Sequence, residues 1–167
     1  MESRQKPASI SDAIAALKKL DGFIPVQQRR ALGDLMRGEE RQFFFDKLVE
    51  MANIVETMPK TYEQDGKGDE AIVYLHYFSA SQDWYITEKD SEAEQHQAYG
   101  LADIGFGGEQ GYISLVELTQ MRGFPFVELD LHFTPRTLRE LKTQRAQRKR
   151  STRNDPDSEE GGQNGRN

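Results

Sequence analysis

The chain has no cysteine, and only three histidines, six prolines and one tryptophan among its 167 residues. Without cysteine there is no disulfide, no thiolate nucleophile and no thiolate metal site. No apolar run approaches the roughly 20 residues that span a bilayer. The start, "MESRQKPASISD", lacks the apolar stretch of a secretory signal. Together these absences predict a cytoplasmic protein that does not engage a membrane. Hydrophobic residues are scarce too, at 36%, and the shortage is local, because "NDPDSEEGGQNGRN" (154–167) holds none. Such a stretch cannot offset the entropy of ordering it and is expected to be disordered.

What is present begins with helical patterning over 9–58. Ser9 stands three residues before Asp12, the spacing of a capping box, with Ile10, Ala13, Ile14 and Leu17 expected on one face. Pro25 suits the first turn of a second short helix ending near Met36. In "EERQFFFDKLVEMANIVETM", Phe44, Leu48, Met51, Val55 and Met58 are spaced 4, 3, 4, 3. This is the stripe of a core-facing helix that Pro59 ends. After the polar "KTYEQDGKGD", the period moves toward two. "AIVYLHYF" (71–78), "DWYITEKD" (83–90), "QAYGLADIG", "GYIS" and "FVELDLHF" (126–133) read as strands, and "SASQ" as a hairpin loop. In the last strand Val127, Leu129, Leu131 and Phe133 are expected on one side and Glu128, Asp130 and His132 on the other. Ser114 opens a short helix, and Thr134 with Pro135 opens the last one. The sum is an α+β fold, with N-terminal helices followed by a mostly antiparallel sheet of about five strands and short helices. The expected organisation is a flexible start (1–8), one domain (9–141, helical over 9–58 and sheet over 70–141), and a basic then acidic disordered tail (142–167).

The glycine cluster in "GLADIGFGGEQGYISL" (100–115) invites a reading as a phosphate cradle. It fails the dinucleotide spacing, since Gln110 falls where a glycine is required, and a strand-like run follows where a helix should. No Gly-Lys-Ser/Thr occurs. Asp103, Glu109 and Gln110 are too few for a calcium loop. The remaining role is conformational, a hairpin turn whose glycines supply positive φ. No cofactor is expected.

The segments "WYITEKD", "AYGLADIGFGGEQGYISLVEL" and "VELDLHFTPRTLREL", in that order, resemble the family called domain of unknown function 2958 over about residues 70–141. The resemblance implies a small cytosolic bacterial protein of plasmids, integrated elements or phages, found beside antirestriction and conjugation functions. It brings no catalytic residue, and residues 9–58 lie outside it.

Two residue groups could carry chemistry. Glu128, Asp130 and His132 alternate on one strand, and His76 with Tyr74 could lie on a neighbouring one. Carboxylates and histidines together can hold a divalent metal or do acid–base work, but they also suit a solvated sheet face. Neither the H-E-x-x-H spacing nor a G-x-S-x-G elbow occurs. The second group is basic. Residues 71–141 carry eleven acidic and four basic residues, net −7. Residues 142–153 then carry Lys142, Arg145, Arg148, Lys149, Arg150 and Arg153 and no acid. This run continues the last helix as an arm that could meet nucleic acid or a partner protein, or dock on an acidic body. No aromatic residue is interleaved to stack on bases. Leu138 and Leu141 are expected to be the last anchors to the body.

The preferred reading is a non-catalytic accessory protein of a mobile element, related to anti-defence or conjugation, that binds another macromolecule, first of all a protein. One alternative is a small metal- or carboxylate-dependent enzyme using Glu128, Asp130 and His132. Another is a weak, nonspecific nucleic-acid binder using the basic arm. Sequence does not give the oligomeric state.

Overall fold

The computed structural model describes residues 5–122 and 125–153. The acidic end of the expected tail and the first four residues lie outside them. Three helices come first: α1 (Ile10–Lys19), α2 (Val26–Leu35) and α3 (Arg41–Thr57). The capping box of α1 is formed, because Ser9 Oγ accepts from the Asp12 N–H while Asp12 accepts from the Ser9 N–H. The inward face of α1 differs from the expected one. Ala13, Ala16 and Leu20 are buried, whereas Ile10 and Ile14 are largely exposed. Small alanines let α1 lie close against α3, whose Leu48, Met51 and Val55 are buried as the stripe predicts, with Ala52 buried beside them.

The sheet holds β2 (Leu75–Ser79), β3 (Gln82–Glu88), β4 (Gln97–Asp103), β5 (Glu109–Ser114) and β6 (Glu128–Leu129), in the order β5-β4-β3-β2-β6. All neighbours are antiparallel. The fold is therefore α+β, with three helices ahead of the sheet. Between β5 and β6 lies α4 (Leu115–Gln120), capped by the Ser114 side chain. A separate ribbon pairs β1 (Ile72–Val73) with β7 (Arg136–Thr137), which leads into α5 (Leu138–Arg153).

Each sheet face covers a core. Leu75, Tyr77, Ile86, Ala98, Ile113 and Leu129 face the three N-terminal helices. Tyr85 and Leu101 face the other way, where Phe133, Leu138 and Leu141 join them. The alternation of β2 distributes its residues in this way, with Leu75, Tyr77 and Ser79 buried while His76 and Phe78 are half-buried on the α5 side. Tyr77 is fully buried, and its hydroxyl donates to the Phe23 carbonyl at 2.6 Å. Burial alone pushes that hydroxyl far above the tyrosine range.

Three sequence expectations need correction. First, 71–78 is two strands, not one. Ile72 pairs with Thr137 on one side, and the buried Gln64 amide takes both its N–H and its C=O on the other. Second, 126–133 contributes only Glu128–Leu129 to the sheet. The Gln28 amide takes the N–H and C=O of Leu129 at 2.8 Å each, and a turn at Asp130 then sends Leu131 to one core and Phe133 to the other. The four apolar residues are buried as expected but do not share a side. Third, the last helix is capped by Thr137, in a box with Glu140, and not by Thr134. Residues 142–153, grouped with the tail in the expected organisation but also read as a continuation of the last helix, are helical and continue α5.

Candidate functional site

The sheet face under α5 carries a row of charges. Asp83 of β3 and Asp103 of β4 stand directly opposite each other, an arrangement that destabilises a sheet unless each carboxylate finds a hydrogen-bonding or cationic partner. Each does. Asp83 Oδ1 lies 2.7 Å from His76 Nε2, and Asp103 pairs with Arg145 of α5. His76 Nδ1 lies 3.0 Å from Asp130 Oδ2. The row runs Asp130, His76, Asp83, Asp103, Arg145, from the sheet edge to the helix. Tyr85 lies between His76 and Arg145, stacked on the imidazole at 4.6 Å and beneath the guanidinium at 5.5 Å. Burial raises the pKa of the Tyr85 hydroxyl, and the Asp83 charge adds to it.

This arrangement argues against acid–base chemistry at His76. Both ring nitrogens face carboxylates, so neither is left for a substrate. The group proposed from sequence does not converge. Glu128 is exposed on β6, and Asp130 turns to His76 while accepting from the His132 N–H. The His132 ring stacks on Phe43 of α3 at 5.4 Å. Tyr74 packs against the helical core. Among the described residues, no group of three or more histidine, aspartate or glutamate side chains is placed to hold a metal ion. Asp83 was missed in sequence, and no local signal marks it. Its role follows from the register that sets it beside His76 and opposite Asp103.

The six basic residues of the arm separate into two sets. Lys142 bonds Asp69 at 2.5 Å, and Lys142 holds the pKa of that carboxyl below its usual value. Arg145 is bound to Asp103, the two side chains being 17% and 11% exposed. Arg139, one turn earlier, bonds Glu70. The first half of α5 is thus docked on the acidic body of its own chain. Arg148, Lys149, Arg150 and Arg153 form no ion pair among the described residues and are exposed.

The docked half also fixes the glycine turn. Gly105, Gly107 and Gly108 have φ of 111°, 99° and 94°, the left-handed conformation expected of a turn. Asp103 Oδ1 accepts from the Gly105 N–H at 3.0 Å while its other oxygen holds Arg145. The turn presents Ile104 at 53% exposure and Phe106 at 91%. A cross-chain signal, Asp103 pairing with a cation 42 positions later, joins the two stretches that sequence treated separately.

No curated protein and no solved structure matches the chain. A protein-family model, described as protein of unknown function (DUF2958), matches residues 47–153. The match is wider than the resemblance read from sequence. It takes in α3 from Lys47 and runs to the last basic residue of α5. The elements it spans include every member of the charge row, the glycine turn and the exposed cations, so the chain belongs to this family.

Proposed function

We propose that the protein is a non-catalytic binding factor whose contact surface is the β4–β5 turn together with the outer turns of α5. The observation that carries this reading is Phe106, an aromatic ring 91% exposed on a turn held by Asp103 and Arg145. A large apolar side chain left in water gains free energy when a partner buries it, and exposed aromatic residues of this kind are common binding anchors. Arg148 and Lys149 follow Arg145 by one turn, so the exposed cations of α5 continue from the side chain that holds the turn. The partner that fits is a protein with an apolar pocket and an acidic rim. The family resemblance favours a cytoplasmic accessory role on a plasmid, phage or integrated element, in anti-defence or conjugation.

Capture from host lysate by wild type and Phe106→Ala protein tests this reading. The expected result is a partner retained by the wild type, lost from the Phe106 variant, and kept by a Glu128→Ala control. Identical capture by all three overturns it.

Nucleic acid is a second reading, favoured by the four cations of the arm that form no ion pair among the described residues. Lys142 and Arg145 are committed to the body, so at most four phosphate contacts remain. The salt slope on duplex DNA is then at most about −3.6, from roughly −0.9 per contact. Titration at two salt concentrations measures it.

A further inference from the structure

A cleft of about 410 Å³ lies between the loop over residues 61–68 and the β3–β4–β5 part of the sheet, apart from the charge row. Its origin is a register shift between Ile86 and Glu88. With regular pairing, Thr87 would oppose Tyr99 and Glu88 would point into the helical core. The bulge pairs Glu88 with Tyr99 instead and turns the carboxylate to the cleft side. Glu88 is only 5% exposed. One oxygen accepts from the Gln64 N–H at 3.0 Å, and the other has no hydrogen-bond partner among the described residues. No lysine, arginine or histidine there lies within ion-pairing distance of it.

Two tyrosines line the same cleft as this carboxylate. Tyr99 lines the cleft, with Tyr112 edge-on to it at 5.6 Å. Tyr62 stands at the mouth, and its hydroxyl bonds that of Tyr112 at 2.7 Å. This bond is the chief cause that holds the Tyr112 hydroxyl above its ordinary pKa. Tyr62 has φ of 75°, a conformation that costs a bulky residue free energy and persists here under the tyrosine bridge. Among the described residues no basic side chain lines the cleft, and Asp65 adds a second carboxylate to its lining.

We infer that this cleft binds an organic cation, its ammonium or guanidinium group seated on the Glu88 carboxylate and its carbon chain against the Tyr99 and Tyr62 rings. A buried carboxylate with an open oxygen favours a positive partner, and aromatic faces add cation–π attraction once water is displaced. The cation's source is either a free amine or the side chain of a lysine or arginine on another protein; the chemistry is shared. The site is independent of the surface proposed for Phe106, and either can fail alone.

Nuclear magnetic resonance titration of the full chain provides the test. The probes are butylammonium chloride, Nα-acetyl-lysine methylamide and neutral pentanol, with the Gln64, Glu88 and Gly100 amides as reporters. Both cations should shift these amides saturably, and pentanol should bind at least tenfold more weakly. Glu88→Gln keeps an acceptor for the Gln64 N–H and should weaken the cations at least tenfold with the rest of the spectrum unchanged. Tyr62→Phe, which keeps the ring but breaks the bridge, should weaken them a few-fold. Tighter binding of the lysine derivative than of butylammonium points to a protein side chain, and equal binding to a free amine. Equal binding of pentanol and the cations in the wild type overturns the inference even if the variants misfold. So does unchanged cation binding in a folded Glu88→Gln protein.

Discussion

Gly100 and Gly33 show how differently one residue type can be used. A Cβ at Gly100 would collide with the Tyr85 carbonyl across the β3–β4 ladder, and the backbone itself would have to move. Gly33 lies inside α2 with nothing within 4 Å of its Cβ position and no positive φ. Gly100→Ala should therefore destabilise by about 3 kcal/mol or more. Gly33→Ala should stabilise by about 0.5–1 kcal/mol, because it removes the entropic cost of glycine in a helix. Urea unfolding of the two variants checks both signs. Residues whose partners are local were legible in the sequence, among them Ser9 with Asp12 and the positive-φ glycines of the turn. Gln28 and Gln64 were not. Each side-chain amide stands in for a missing strand neighbour, and the Gln28 partner is 101 positions away. No local pattern encodes that substitution.

At the scale of elements, periodicity gave the strands their buried residues but not their ladders. Val127, Leu129, Leu131 and Phe133 alternate and are all buried, yet Asp130 breaks the strand by accepting from the His132 N–H and turning to His76. The β3–β4 connection has a similar anchor. Asp90 accepts from the N–H groups of Glu92, His96 and Gln97. Burial pushes its carboxyl up, but these hydrogen bonds outweigh burial and leave it below the ordinary value of 3.8. A lowered folded-state pKa gives stability that is present above 3.8 and lost as pH falls through the folded value. Asp90→Asn should therefore be less stable than the wild type at neutral pH, and the gap should close below pH 3.8. Thermal melts from pH 7 to pH 2.5 read this directly; a gap that widens in acid would contradict it.

Across the whole molecule, α5 is both structure and surface. Sequence composition separated an acidic body from a basic arm correctly, but it could not show that the arm's first cations neutralise the body's own carboxylates. That depends on the β3–β4 register placing Asp103 beneath Arg145. Arg145→Ala should cost about 3 kcal/mol, because it leaves Asp103 buried with only the Gly105 N–H. Truncation after Leu141 should destabilise at least as much, whereas truncation after Arg145 should leave stability within about 1 kcal/mol of the wild type. Chemical unfolding of the three variants checks the order. The outer turns and Phe106 carry no such structural duty, and Phe106→Ala should change stability by less than about 0.5 kcal/mol.

The claim that this surface is where a partner binds is tested most directly by placing a photo-crosslinking phenylalanine derivative at position 106, with Lys18 of α1 as the control position. On irradiation in the host, the account predicts one dominant protein adduct from position 106. The adduct should be absent from position 18 and lost when Arg148 and Lys149 are changed to glutamate. No adduct from position 106, or the same adducts from both positions, would contradict it.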